Sequence, residues 1–284
     1  MKYRLLGSTG VYVSEISLGA MTFGGSGHPL WGTLGGLALP RCSGWWTPRW
    51  TRGQLRRHRR RLQRRRGEEL LGKALGKRRR DVVLATKVHS RTGPGPNDVG
   101  TSRLHIMQNL EDSLRRLGTD HIDLYQIHNF DQITPMEEML RALDDAVRQG
   151  KVRYIGAANF AAWQMSKALG ISAREKLAGF VSVQEYYSLL GRDVERDVVP
   201  MALDEGVGLT VWSPLAGGFL SGKVSRDGAV ADSGARSSSP ATPASRRSIR
   251  RSPSEWSTCS RASPSGTRSA RPGWRSPGCC PDRP

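Results

Sequence analysis

The chain has 284 residues, a formal net charge of +19 and a pI near 10.8. That length suits one large domain or two small ones and is enough to bury a sizeable core. No run of eighteen apolar residues occurs, which excludes a membrane-spanning helix. The opening MKYRLLGSTG lacks the apolar stretch of a secretory signal, and four cysteines do not make a disulfide scaffold.

The charge is not spread evenly. Residues 37–66 hold eleven Arg and no Lys, Asp or Glu. Residues 233–284 hold ten Arg, no Lys and two acids, with fourteen Ser and eight Pro. The other 202 residues balance 23 basic against 23 acidic side chains. All four Cys and five of the eight Trp lie in the two Arg-rich segments. Neither segment has a periodicity that would bury a face, so both are expected to be irregular. Three readings compete: a nucleic-acid arm, a natural disordered tail, and out-of-frame reading of GC-rich codons. The last is favoured. It yields Arg, Pro, Ser, Gly, Trp and Cys while starving the product of Lys, Asp, Glu and Ile. The runs lack Lys and the aromatic–basic interleaving of a nucleic-acid module, so no specific nucleic-acid binding is expected.

In chain order, the first strand signal is Ile16–Gly19. Others begin at Val82 (VVLATKV), Ile122 (IDLYQI), Val152 (VRYIG), Val181 (VSVQ) and Val207 (VGLTVW). The last four are about 30 residues apart, the size of a βαβ step. Between them, Ile106, Leu110, Leu114 and Leu117 share one helical face, with Arg115 and Arg116 off it. Met136, Leu140, Leu143 and Val147 share another, stopped by Gly150. Strands alternating with helices imply a parallel sheet covered by helices. The gap from Ile16 to Val82 has room for two units, and the Arg-rich segment sits where the second strand belongs. The tail sits where a last unit belongs. Eight units would make a (β/α)₈ barrel; an open doubly wound sheet is the rival, weakened by the lack of G-x-G-x-x-G. The expected architecture is an incomplete TIM-type barrel over 1–228, interrupted at 37–66, with a basic tail at 229–284. Strands two and eight are expected to be replaced, leaving strand one without neighbours and strands three and seven as open edges.

Six blocks carry a family resemblance: KYRLLGSTGVYVSEISLGAMTFG, LATKV, IDLYQIHNFD, GKVRYIGAANF, VQEYYSLLGRD and VWSPLAGGFLSGK. In this order they resemble the successive strand ends of the aldo-keto reductases. The resemblance implies a (β/α)₈ barrel that binds NADPH at the C-terminal ends of its strands. It also implies reduction of a small carbonyl substrate by direct hydride transfer, in the cytoplasm. Oligomeric state is not legible.

That family works with Asp, Tyr, Lys and His. Hydride addition makes an alkoxide, so a proton donor must stand where that charge develops. Lys87 in LATKV and His128 in YQIHNFD match the family Lys and His. The Asp and Tyr should lie near 57 and 62, where the chain has Arg57 and Leu62. Impaired activity is therefore expected, with a catalytically dead barrel of binding role as the alternative. The resemblance assigns the nicotinamide carboxamide to Asn159 and Gln184, ring stacking to Trp212, the pyrophosphate loop to Ser213, Leu215 and Gly217, and first-strand contacts to Met21 and Thr22. NADPH over NADH rests on the family alone. The run Gly217 to Val224 imitates a P-loop, but Val224 lacks the hydroxyl that Mg²⁺ needs. The cysteines and histidines lack paired metal-ligand spacing, so no metal is expected.

Overall fold

The computed structural model describes residues 1–20, 55–57 and 61–222, with side chains from residue 67 onward in the second stretch. Met21, Thr22 and the tail lie outside the described residues, as does any eighth barrel strand.

A hairpin comes first, β1 (Tyr3–Leu5) paired antiparallel with β2 (Tyr12–Ser14). Among the described residues seven parallel strands follow in one sheet, each beside its successor: β3 (Leu18–Gly19), β4 (Leu55–Arg57), β5 (Val83–Val88), β6 (Ile122–Ile127), β7 (Val152–Ala158), β8 (Phe180–Tyr186) and β9 (Gly208–Trp212). Sequential parallel neighbours need crossovers, and helices supply them. These are α1 (Arg61–Leu75), α2 (Arg103–Leu117), α3 (Met136–Arg148), α4 (Ala162–Glu175) and α5 (Val198–Asp204). This is the β/α repeat of an incomplete barrel.

The strands from Val82 onward fall where the apolar runs place them, because those runs are largely buried on both faces in β5, β6 and β8, and half-buried in β9. Leu84, Leu124, Ile127 and Val183 are all inaccessible to solvent. α2 buries Ile106, Leu110, Leu114 and Leu117 as its spacing requires. Ser102 caps its first turn by accepting from the His105 amide, and Gly118 ends it at φ 62°. α3 buries Met136, Leu140 and Leu143 and stops before Gly150, at φ 72°.

The second-strand expectation is corrected. β4 occupies the position between strands one and three, pairing Leu18 with Arg56 and Gly19 with Arg57 on one side. On the other it pairs Leu55 with Val83 and Arg56 with Leu84. Strand one therefore keeps a neighbour, and β5 is not an edge. It is also shorter than Ile16–Gly19. The Arg-rich segment is not irregular throughout, since it contributes β4 and the start of α1. The physical reason is that ladder bonds use main-chain groups, which every residue but Pro supplies. Arg is also a good helix former, whatever its charge. The expectation for strand seven concerns β9, which pairs with β8 and with no other strand among the described residues.

The hairpin plugs the N-terminal end of the strands. Leu6 and Val13 pack on Ala85 and Leu124, with Val11, Val83, Tyr154 and Val181 around them. Gly7, at φ 58°, lets the chain pass under the sheet. A Cβ there would meet the Val181 carbonyl oxygen at 2.3 Å and the Gly208 amide at 2.9 Å. Arg79 staples the same end, bonding Asp123 at 2.8 Å and the His121 carbonyl at 2.9 Å. With that end sealed, the opposite end of the strands is left for chemistry.

Candidate active site

Five strands deliver side chains to that opposite end. Lys87 is the penultimate residue of β5, His128 follows β6, Asn159 follows β7, Gln184 lies near the end of β8, and Trp212 ends β9. Lys87, His128 and Gln184 are buried to within 4%. The side chains are tied to each other. Lys87 Nζ donates to Gln184 Oε1, bridging β5 and β8 across the two strands between them. Gln184 Nε2 reaches Gln126 Oε1 at 3.4 Å and Thr210 Oγ1 at 3.5 Å. Asn159 Nδ2 donates to the His128 carbonyl at 2.8 Å and to Asn129 Oδ1 at 3.1 Å. Trp212 Nε1 donates to Asn159 Oδ1 at 3.0 Å. The His128 ring meets Ser90 Oγ through Nδ1 at 3.3 Å. The Trp212 ring lies against Tyr186, with centroids 5.1 Å apart.

Backbone strain gathers at the same rim. Among the described residues five non-glycine residues have left-handed φ, and four of them follow strand ends: His89 at 123°, Asn159 at 57°, Ser213 at 55° and Ala216 at 49°. The fifth, Lys176, caps α4. Such conformations persist only where their surroundings over-determine them, and they gather at ligand sites. Beyond β9 the chain turns tightly through Ser213, Leu215 and Gly217, with the Gly217 amide donating to Ser213 Oγ at 2.8 Å. At Gly217 (φ 69°) and Gly218 (φ 99°) a Cβ would meet no atom of the described residues within 4 Å.

These features fit a nicotinamide cofactor chemically. Among the described residues Gln184 Nε2 has only long contacts, and nearby Gln126 Nε2 is buried without a hydrogen-bond partner. An amide-lined floor with spare donors suits a carboxamide, and a small-residue turn suits a pyrophosphate. Ala158 precedes Asn159. Its methyl side chain offers one hydrogen bond fewer than a serine hydroxyl would. Among the described residues no group of three His, Cys, Asp or Glu side chains could hold a metal ion.

Three acidic positions at or near the rim went unread in the sequence. Asp131 accepts from the Thr101 amide at 2.8 Å, Thr101 Oγ1 at 3.2 Å, the Ile133 amide at 2.9 Å and Thr134 Oγ1 at 2.8 Å. It thereby ties the loop before α2 to the loop before α3. Burial works to raise its pKa, but these four bonds outweigh burial and hold it down at about 2. A carboxylate with a depressed folded pKa stabilises above its unfolded pKa. That contribution is lost as pH falls through the folded value. Asp131→Ala is expected to cost about 1–3 kcal/mol at pH 7. In urea unfolding the gap to wild type should shrink as pH drops from about 4 toward 2. A gap that stays constant with pH would contradict this.

Glu185 lies beside Gln184 on β8 and is 9% exposed. Its Oε1 accepts from the Phe160 amide at 2.8 Å. Burial pushes its carboxyl up to about 7, against the pull of the Phe160 and Asn159 amides. Glu68 is fully buried in α1, accepting from Thr86 Oγ1 and Arg116 Nε, each at 2.6 Å. The signal for both was strand or helix phase, which puts a carboxylate on an apolar face.

Among the described residues two shallow concavities adjoin the barrel, and one has Asn159 on its wall. This one, of about 330 Å³, lies on the outer side of β8 between Glu185 and α5. Side-chain convergence, not cavity volume, marks this site.

Comparison with known proteins agrees with the strand-end pattern. The profile of the aldo/keto reductase family matches residues 63–259. An uncharacterized oxidoreductase of Bacillus subtilis (strain 168) is 47% identical over 169 residues, covering 57% of this chain and 52% of that protein. The versiconal hemiacetal acetate reductase of Aspergillus parasiticus is 37% identical over 243 residues, covering 78% and 69%. A probable voltage-gated potassium channel subunit beta of Arabidopsis thaliana is 40% identical over 172 residues, covering 59% and 52%. The chain thus spans about half the length of two of these three relatives. With a parallel β/α repeat, a plugged N-terminal end and a family profile matched over more than half its length, the chain belongs to the aldo/keto reductase family.

Proposed function

We propose that the strand-end cluster is a nicotinamide-binding site with NADPH as its cofactor, and that the protein reduces small aldehydes or ketones slowly. The observation that carries this is the direct bonding of Lys87 to Gln184 and of Trp212 and the His128 loop to Asn159. Asn159 and Gln184 would hold the carboxamide, the Trp212 face would support the ring, and Ser213, Leu215 and Gly217 would border the pyrophosphate. Met21 and Thr22 would add first-strand contacts. The bound cofactor supplies hydride to the carbonyl carbon. The protein's own task is to orient the carbonyl, exclude water and deliver a proton to the oxygen. His128, held through Nδ1 by Ser90, is the residue assigned to that oxygen, and Lys87 supplies positive potential nearby. Arg57 and Leu62 offer neither a carboxylate nor a phenol, so the proton delivery is incomplete.

The reading takes residues 1–228 as one barrel domain with a separate basic tail, acting in the cytoplasm without specific nucleic acid. No described helix is long and apolar enough to cross a membrane. A second reading, a cofactor-binding barrel without turnover, is favoured by the same Arg57 and Leu62.

Titration of the full chain with NADPH, followed by cofactor fluorescence, tests the assignment. Saturable binding is expected. Asn159→Ala and Gln184→Ala should each weaken it about tenfold, the worth of a hydrogen bond to a buried amide. Binding unchanged in both variants would sink the site assignment.

A further inference from the structure

β8 presents alternate side chains to opposite faces. Gln184 faces the barrel interior, where it meets Lys87, Gln126 and Thr210. Its neighbour Glu185 faces outward into the layer between sheet and helices, which is normally apolar. A carboxylate there is costly. Its folded pKa of about 7 lies above the ordinary Glu value of 4.5, so its neutral form is the one the fold favours. Ionisation above pH 7 therefore lowers stability, and that loss disappears as pH falls toward 4.5. Stability does not explain the residue.

Its contacts do. Glu185 Oε1 accepts from the Phe160 amide at 2.8 Å, and the neighbouring Asn159 amide also pulls on the carboxyl, lowering its pKa against burial. The Asn159 amide additionally meets the Gln184 carbonyl at 3.0 Å. Asn159 stands at φ 57°, a conformation a non-glycine residue holds only under constraint. From that strained backbone its side chain bonds the His128 carbonyl, Asn129 and Trp212. Phe160 is locked on the other side by edge-on contacts with Phe130 (5.5 Å) and Phe180 (6.0 Å). Around the carboxyl, Asp193 and Asp197 line the adjoining cavity from the β8–α5 connection, and Lys87 acts from the barrel side. Val194 and Val198 complete that wall.

We propose that Glu185 is a positioning residue for the nicotinamide site, fixing the Asn159–Phe160 backbone from behind the sheet and through Asn159 setting the orientation of Trp212 and the His128 loop. The proposal rests on the cofactor reading above for its functional consequence, but the positioning itself is a property of the free protein. Glu185→Leu keeps the volume and removes the acceptor. Glu185→Gln keeps an acceptor and removes the charge.

The experiment uses the full chain and its E185L and E185Q variants. It reads NADPH affinity, amide hydrogen exchange at Phe160, and thermal stability at pH 8. E185L should bind NADPH about tenfold more weakly and exchange the Phe160 amide at least about tenfold faster. E185Q should stay within about threefold of wild type on both readouts. E185Q should also melt higher than wild type at pH 8, which a purely structural carboxylate would not allow. Equal NADPH affinity and equal Phe160 protection in E185L would overturn the proposal. If wild type binds no NADPH, the cofactor reading falls, while Phe160 exchange still decides the positioning role. If E185L does not fold, pH carries the decision. Corrected for intrinsic exchange, Phe160 protection in wild type should weaken about two- to threefold from pH 8 to pH 6, down to the level of E185Q, and stay flat in E185Q. A wild type as flat as E185Q would then count against the proposal.

Discussion

The double substitution Arg57→Asp with Leu62→Tyr is expected to raise kcat toward an activated aldehyde by about 10²–10⁴-fold, the usual contribution of a positioned general acid. The backbone supports the placement. Arg57 is the last residue of β4 and pairs with Gly19, so position 57 is a strand end on the same rim as Lys87. Position 62 lies five residues on, in the first turn of α1. β4 is hydrogen-bonded to β5, which carries Lys87. In the family pattern such a carboxylate fixes the Lys, and the Lys lowers the pKa of the phenol beside it; the double variant tests whether positions 57 and 62 restore that set around Lys87. The Tyr alone should give less, because Lys87 would remain bonded to Gln184. Steady-state rates with NADPH on a folded double variant decide it. No gain would mean that β4 does not carry the missing pair.

Breaking the buried pair beneath α1 is expected to be the most damaging single change to stability. Glu68 is wholly inaccessible and Arg116 is 11% exposed in its side chain. Arg116 also reaches Ser113 at 3.2 Å and Asp112 at 3.4 Å, and Thr86 brings β5 into the network. One carboxylate thus joins α1, α2 and the strand that carries Lys87. The two helices pack closely beside it, with Gly72 of α1 against the Leu117 backbone. A Cβ at Gly72 would stand 2.3 Å from the Leu117 carbonyl oxygen. Glu68→Leu leaves a nearly buried guanidinium with only the partly exposed Asp112, at 3.4 Å, to balance it, so a loss of about 3 kcal/mol in urea unfolding is expected, the low end of what breaking a buried pair costs. Replacing both partners, Glu68→Leu with Arg116→Met, should recover most of that loss, because no charge is then left buried. Equal stability of the single and double variants would show that the loss is one of packing and not of charge.

What the sequence made legible follows physical rules of unequal reach. Strands β5 to β9 were readable because burial on both faces writes continuous apolar runs, and α2 and α3 because one buried face repeats every three to four residues. Lys87, His128, Asn159, Gln184 and Trp212 were legible as strand-end positions of a family pattern. β4 was not, because main-chain pairing leaves no mark on an Arg-rich segment. Glu185 and Glu68 were hidden for a different reason. Their partners are a backbone amide 25 residues away and an arginine 48 residues away. No local spacing encodes such a meeting. Arg116 reads as an off-face surface residue in the helical pattern, yet its stem lies along the helix and its head reaches into the layer.

The central claim is a hydride-transfer site that retains its cofactor contacts and lacks its proton donor. Incubation of the full chain with NADPH deuterated on its transferring face and an activated aldehyde, with mass analysis of the alcohol, tests it most directly. The account predicts deuterium at the carbinol carbon, formed about 10²–10⁴-fold more slowly than the roughly 10 s⁻¹ of a typical enzyme. Alcohol without the label, or labelled alcohol produced at the full enzymatic rate, would contradict it.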